Sequence, residues 1–428
     1  MNRYKSLLQG MGIFVGILVL LWLFLIAASA IPNKMLKKNM EKSALYYTRS
    51  EAFARCDGEK MNGIADNYAD SIWVNVAWFL GKGNPVVSSV DTKYYDGEQQ
   101  GQNIGLYLAV TNDNTEANTD YTRYWHGTAG VIRVLHLFTD VNGIKYIGFV
   151  TAMALAAAVM ILLIKDGKDR IAAAFFLSLC IVKIWNIRLS MEYQPAFIIG
   201  FLMCILYLLF EKKGDNFLLP LAIVGGEVIA FFDFLTTETV VILLPLILVI
   251  TVRALEGRIG ETKENIKFIL NQGIAWGVSY GMTFVMKWIL VSVIMGENRF
   301  FASLGSAKER MNGVVMLNMD SNIFTQILTA PAANLSILFG GTERIDHLSV
   351  IAGILLVLVF AVISIWYIVK TKGEKRAVTI VLCFLGSMIL VRYMVLSNHS
   401  YLHAFFTYRG LISMIMALSS ILLVGHKK

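Results

Sequence analysis

The sequence predicts an all-α, polytopic membrane protein with about ten spans and one long polar segment after the first span. Three observations predict it. Of 428 residues, 56% are hydrophobic and only 16% are charged, with a mean hydropathy of +0.61, which is too apolar for a soluble domain. Apolar runs of about 17–25 residues, enough to cross a hydrocarbon core, recur over 8–31, 146–164, 171–187, 195–211, 217–234, 238–252, 266–294, 349–369, 377–396 and 410–425. Short basic groups stand at alternate ends of these runs, so the formal net charge of +8 reflects membrane topology and gives no reason to expect a nucleic-acid partner.

Taken in order, residues 1–32 read as a membrane anchor. Arg3 and Lys5 precede the run and Ala28-Ser29-Ala30 imitates a signal-peptidase site. The run itself exceeds the roughly 7–15 apolar residues of a secretory signal, which favours an uncleaved anchor. Residues 33–145 then form a largely polar segment, expected to be extracytoplasmic. It opens with an amphipathic surface helix over Asn33–Thr48, rich in lysine. Cys56 is its one cysteine, so the segment has no intrachain disulfide framework.

Two clusters in this segment carry chemistry. Asp66-Asn67-Tyr68-Ala69-Asp70 places two carboxylates four residues apart, on one side of a helix. They read either as a general base or a hydroxyl or metal grip, or as aspartates favoured at a helix N-terminus. Thr119-Asp120-Tyr121-Thr122-Arg123-Tyr124-Trp125-His126-Gly127, continued to Arg133, supplies guanidinium, imidazole and aromatic rings. That stripe suits a phosphate and a sugar face, and it equally suits lipid headgroups.

Residues 146–428 form the multi-span bundle. With a cytoplasmic amino terminus, the basic connections 165–170, 211–216, 253–267 and 370–376 and the carboxyl terminus all fall inside, placing both termini in the cytoplasm of a plasma-membrane protein. The outer face receives 33–145, 188–194, 235–237, a long loop over 297–348 that is either a lid or plain surface, and 397–409. Five of the six histidines lie there, and no glycine-rich nucleotide loop appears. Charges inside or bordering the spans are costly and therefore informative: Lys183, Glu227, Asp233, Lys287 and Arg392. Asp233 stands at an outer mouth as a site acid or an interfacial residue, and Lys287 is a phosphate partner or a snorkelling lysine. In the last outer stretch His399 and His403 stand at i, i+4, a spacing open to a metal, but Ser400 occupies the place of the metalloprotease glutamate. They read better as phosphate or hydroxyl partners with Arg409. No cofactor is required, and a divalent cation is compatible.

In architecture over most of the chain (an anchor, a long first outer segment with a surface helix and acidic residues, then many spans with short turns) the sequence resembles the GT-C glycosyltransferases, which use a polyprenyl-phosphate-linked sugar. Tyr124-Trp125-His126-Gly127, Asn398-His399-Ser400 and Phe406-Thr407-Tyr408-Arg409 also resemble segments of uncharacterised membrane proteins of Gram-positive bacteria. The resemblance implies Asp70 or Asp66 acting at the acceptor hydroxyl and Arg123, His126, His399, His403 and Arg409 holding the donor phosphate. Trp125, Arg133, Asp233 and Lys287 complete the expected substrate-binding set. The departure is the lack of an adjacent acidic pair beside Asp70, which leaves metal dependence and the base undecided. The expected partners are a polyprenyl-phosphate-linked sugar, a cell-envelope acceptor and membrane lipids. A lipid-linked oligosaccharide transporter using Lys183, Glu227 and Lys287 as a buried path, and a polysaccharide polymerase, are the alternatives.

Overall fold

The computed structural model describes residues 3–296, 298–301, 304–305 and 323–426. Part of the loop expected over 297–348, with Lys308, Glu309 and Arg310, lies outside the described residues.

Helix α1 (Arg3–Ser29) leads into α2 (Asn33–Thr48), the expected amphipathic helix. Its buried residues Leu36, Met40, Ser43, Ala44 and Tyr47 recur at helical spacing. They face α3 (Asn67–Leu80) and α5 (Gln102–Thr111), so a helix expected to lie on lipid packs against protein. Short antiparallel ribbons, β1 (Phe53–Arg55) with β2 (Ile64–Asp66) and β3 (Lys93–Tyr94) with β4 (Thr119–Asp120), pin the loops around them. Helices α4 (Pro85–Val90) and α6 (Gly127–His136) complete a cap. The cap has its own apolar core around Trp73, Trp78 and Trp125, shared with the ends of α1 and of α10 (Asp215–Phe232).

The bundle comprises α7 (Val141–Lys165), α8 (Asp169–Ile181), α9 (Pro195–Phe210), α10, α11 (Val240–Leu255), α12 (Thr262–Met295), α13 (Ile323–Leu338), α14 (His347–Lys370), α15 (Gly373–Val395), the short α16 (Ser397–Leu402) and α17 (Ala404–Thr407), and α18 (Ile412–Gly425). Among the described residues, eight helical stretches are long and apolar enough to cross a membrane, which makes this a multi-pass membrane protein and corrects the expected ten. The run at 171–187 breaks after Ile181, where Lys183 takes a left-handed conformation before a 3-10 turn over Ile184–Leu189. The run at 238–252 is a 16-residue helix buried along almost its whole length. At about 24 Å it is shorter than the bilayer's hydrocarbon core, and a helix enclosed by protein need not match that thickness.

Cap and bundle are tied together by Arg133, expected as a phosphate ligand and instead fully buried. It donates to the carbonyls of Ala28 and Ala77 at 2.9 and 2.6 Å, to Ile31 O and to Asn33 Oδ1, satisfying the open carbonyl ends of α1 and α3. Burial lowers its pKa to about 10, so it stays charged at neutral pH. Gly81 makes room for it, since a Cβ there would stand 2.2 Å from the guanidinium. Gly81→Ala is therefore expected to destabilise the protein by about 1–3 kcal/mol through overpacking, read as a lower thermal midpoint in detergent; an unchanged midpoint would refute this role.

Candidate functional site

The end of the bundle where α1 stops and α7 begins gathers the chain's polar features beneath the cap. Here a cavity of about 140 Å³ is lined by Phe53, Asp66, Tyr68, Ala69, Ile72, Trp73, Tyr121, Tyr124, Glu192, Phe234, His399 and His403. Six elements far apart in sequence meet at it, and six of the lining side chains are Phe, Tyr or Trp. Phe234 organises one wall, stacking on Tyr124 at 4.9 Å and meeting Trp73 edge-on at 4.7 Å.

Asp66 ends β2 and caps α3, accepting the Ala69 amide at 2.8 Å. Its carboxyl lies beside that of Glu192, which lines the same cavity. Two buried carboxyl groups brought together favour one shared proton over two adjacent charges. Burial, with a smaller contribution from the charge of Asp70, raises the Asp66 pKa to about 7, against the opposing Ala69 amide. Glu192 is 6% exposed and its Oε2 is buried with no hydrogen-bond partner.

Asp70, expected as a base, does not line the cavity. One of its oxygens accepts from Ser190 Oγ at 2.7 Å and from the amides of Met191 and Glu192 at 2.9 and 3.3 Å. The other pairs with Lys145 at 2.9 Å. With one oxygen held by the turn and the other ion-paired, Asp70 is a positioning residue that fixes the turn presenting Glu192.

Several other residues singled out in the sequence support the cavity from behind. Arg123 lies 4.4 Å from the Tyr121 ring and 5.3 Å from that of Tyr124, propping both walls. His126 caps α6 in a left-handed conformation and bonds Tyr121 O at 2.8 Å; burial pushes its pKa well below the usual value, so it is neutral. Asp233 accepts from Thr236 N at 2.8 Å and closes the turn that carries Phe234. Burial raises its pKa to about 7. In the same turn Leu235 has a positive φ, and its carbonyl is held by Arg392 and by His399 Nε2. Arg392 in turn pairs with Glu238 at 2.9 Å.

The remaining expected residues lie elsewhere. Trp125 donates to Thr283 O at 2.7 Å and Lys287 to Val90 O at 2.8 Å, joining the cap to α12. Arg409 lies 4.8 and 4.9 Å from the rings of Tyr193 and Tyr408 and donates to Asn62 O at 3.4 Å. The buried path proposed for a transporter is also dispersed: Lys183 pairs with Asp57 at 2.8 Å, Lys287 caps α4, and only Glu227 remains buried with both oxygens unpartnered.

Sequence reasoning missed Glu192, Phe53 and Phe234. Glu192 is the only acid in the polar turn 188–194, a signal that a search for acids at outer turns would have found. Among the described residues no group of three His, Cys, Asp or Glu side chains could hold a metal ion. No protein-family model, curated protein or solved structure matches this chain.

Proposed function

We propose that the protein is an integral membrane glycosyltransferase, moving a sugar from a polyprenyl-phosphate donor to a cell-envelope acceptor at the cavity beneath the cap. The observation that carries the reading is a buried acid pair, Asp66 and Glu192, lining an aromatic-walled cavity at one end of a membrane bundle. Aromatic faces suit the apolar side of a sugar ring, and a buried carboxyl poised near neutrality suits proton abstraction from a hydroxyl. Lysines and arginines concentrate at the opposite end, at 165–170, 211–216, 253–267 and 370–376, which favours an extracytoplasmic cavity and cytoplasmic termini.

In the proposed reaction the acceptor hydroxyl oxygen attacks the anomeric carbon. The bond from that carbon to the phosphate oxygen breaks with its electron pair leaving on the lipid phosphate, and ionised Asp66 takes the hydroxyl proton. His403, half-buried in the cavity lining, is the nearest candidate to donate to the phosphate, with Arg123 behind the aromatic wall. The test is release of polyprenyl phosphate by the purified protein in lipid nanodiscs, given panels of polyprenyl-phosphate sugars and envelope acceptors. Transfer of label to an acceptor supports the reading. Movement of a lipid-linked sugar across proteoliposomes without any release would replace it with the transporter.

A further inference from the structure

The cavity holds a charge pattern that a neutral sugar leaves unanswered. Asp66 and Glu192, 2% and 6% exposed, lie side by side, and no lysine or arginine is among the lining residues. The nearby cations stand outside the lining: Lys145 pairs with Asp70, Arg123 lies behind Tyr121 and Tyr124, and Arg409 lies against the rings of Tyr193 and Tyr408. Glu192 lines the cavity on a residue more than nine-tenths buried, and its Oε2 has no hydrogen-bond partner. The surrounding ring faces are themselves electronegative. Buried acids walled by aromatic faces are the arrangement that recognises a cation.

We propose that the sugar bound here carries a protonated amine, gripped by Glu192 and the aromatic walls, and that the ammonium displaces the proton shared by Glu192 and Asp66. The proposal rests on the cavity being the donor-sugar subsite. Its mechanistic consequence is that an ammonium held beside Asp66 favours the ionised carboxylate, so an amine-bearing substrate promotes the base that removes the acceptor proton. Binding then releases one proton, and the groups facing this exchange are Asp70 with Lys145, Asp233, Tyr193, His399, His403, His126, Arg123 and Arg409.

Calorimetric titration of the full-length protein in nanodiscs with glucosamine, N-acetylglucosamine and glucose tests this. Glucosamine is expected to bind about tenfold or more tighter than the other two. Its apparent enthalpy should vary with buffer ionisation enthalpy as required by release of one proton, and Glu192→Gln should abolish the preference. Equal binding of the three sugars, or no proton release, overturns the proposal on wild-type protein alone, even if Glu192→Gln does not fold. Transfer as fast from neutral donors as from amino-sugar donors also overturns it and leaves the transferase reading standing. Tight glucosamine binding with no transfer from any donor does the reverse.

Discussion

Asp66→Asn is expected to slow sugar transfer by about 10²–10⁴-fold, the usual contribution of a positioned general base, while the protein still folds. Asparagine caps a helix as well as aspartate does, so the bond from the Ala69 amide survives, and an amide can still hydrogen-bond to Glu192. What is lost is the ability to accept a proton. In the wild type the rate should climb with pH through about 7, where Asp66 ionises. Stability should run the other way. In the unfolded chain this carboxyl titrates near the ordinary aspartate value of 3.8. Between that value and about 7 the folded state therefore binds the extra proton, and the contribution of Asp66 to stability falls as pH rises across the window. Asp66→Asn removes both dependences. Initial rates and thermal midpoints across that window check them; a variant that retains wild-type rates would remove Asp66 from the chemistry.

Asp70→Asn should produce the largest loss of stability, about 3–5 kcal/mol, because it leaves the buried Lys145 ammonium without its counter-charge. Lys145 is only 7% exposed, and its other neighbours, Asn67 Oδ1 at 3.4 Å and the rings of Tyr46 and Tyr47, cannot replace a carboxylate. The Ser190–Glu192 turn would exchange a carboxylate acceptor for the weaker amide oxygen at the same time, so its hold on Glu192 loosens and activity falls as a secondary effect. The double variant Asp70→Asn/Lys145→Met separates the two consequences. Removing both charges should restore most of the thermal midpoint, whereas Glu192 stays poorly placed and transfer stays slow. Size-exclusion chromatography after graded heating reads the first and the transfer assay reads the second. A single variant as heat-stable as wild type would show that the ion pair does not hold the fold.

The membrane character, the surface helix over Asn33–Thr48 and the end of the bundle that collects the polar groups were all legible in the sequence. Each depends on local periodicity or on the cost of placing charge in lipid, and both act residue by residue along the chain. Asp66, His399 and His403 were legible for the same reason, as acids and imidazoles in polar turns between apolar runs. The roles of Asp70, Arg133 and Lys287 were not. A charge in an apolar setting marks a site or a structural tie equally well until its partners are known, and here those partners are carbonyls at helix ends, 105 and 197 residues away, and an oppositely charged side chain 75 residues away.

The sequence by itself determined that the chain crosses a membrane repeatedly and carries a polar cap after its first span, because hydropathy and run length suffice for both. Only the tertiary structure decided which acid faces a cavity and which is consumed as an anchor. Asp66 and Asp70 are four residues apart with similar neighbours. What distinguishes them is Lys145 and the Ser190–Glu192 turn, which packing brings to Asp70 while Asp66 is left facing Glu192.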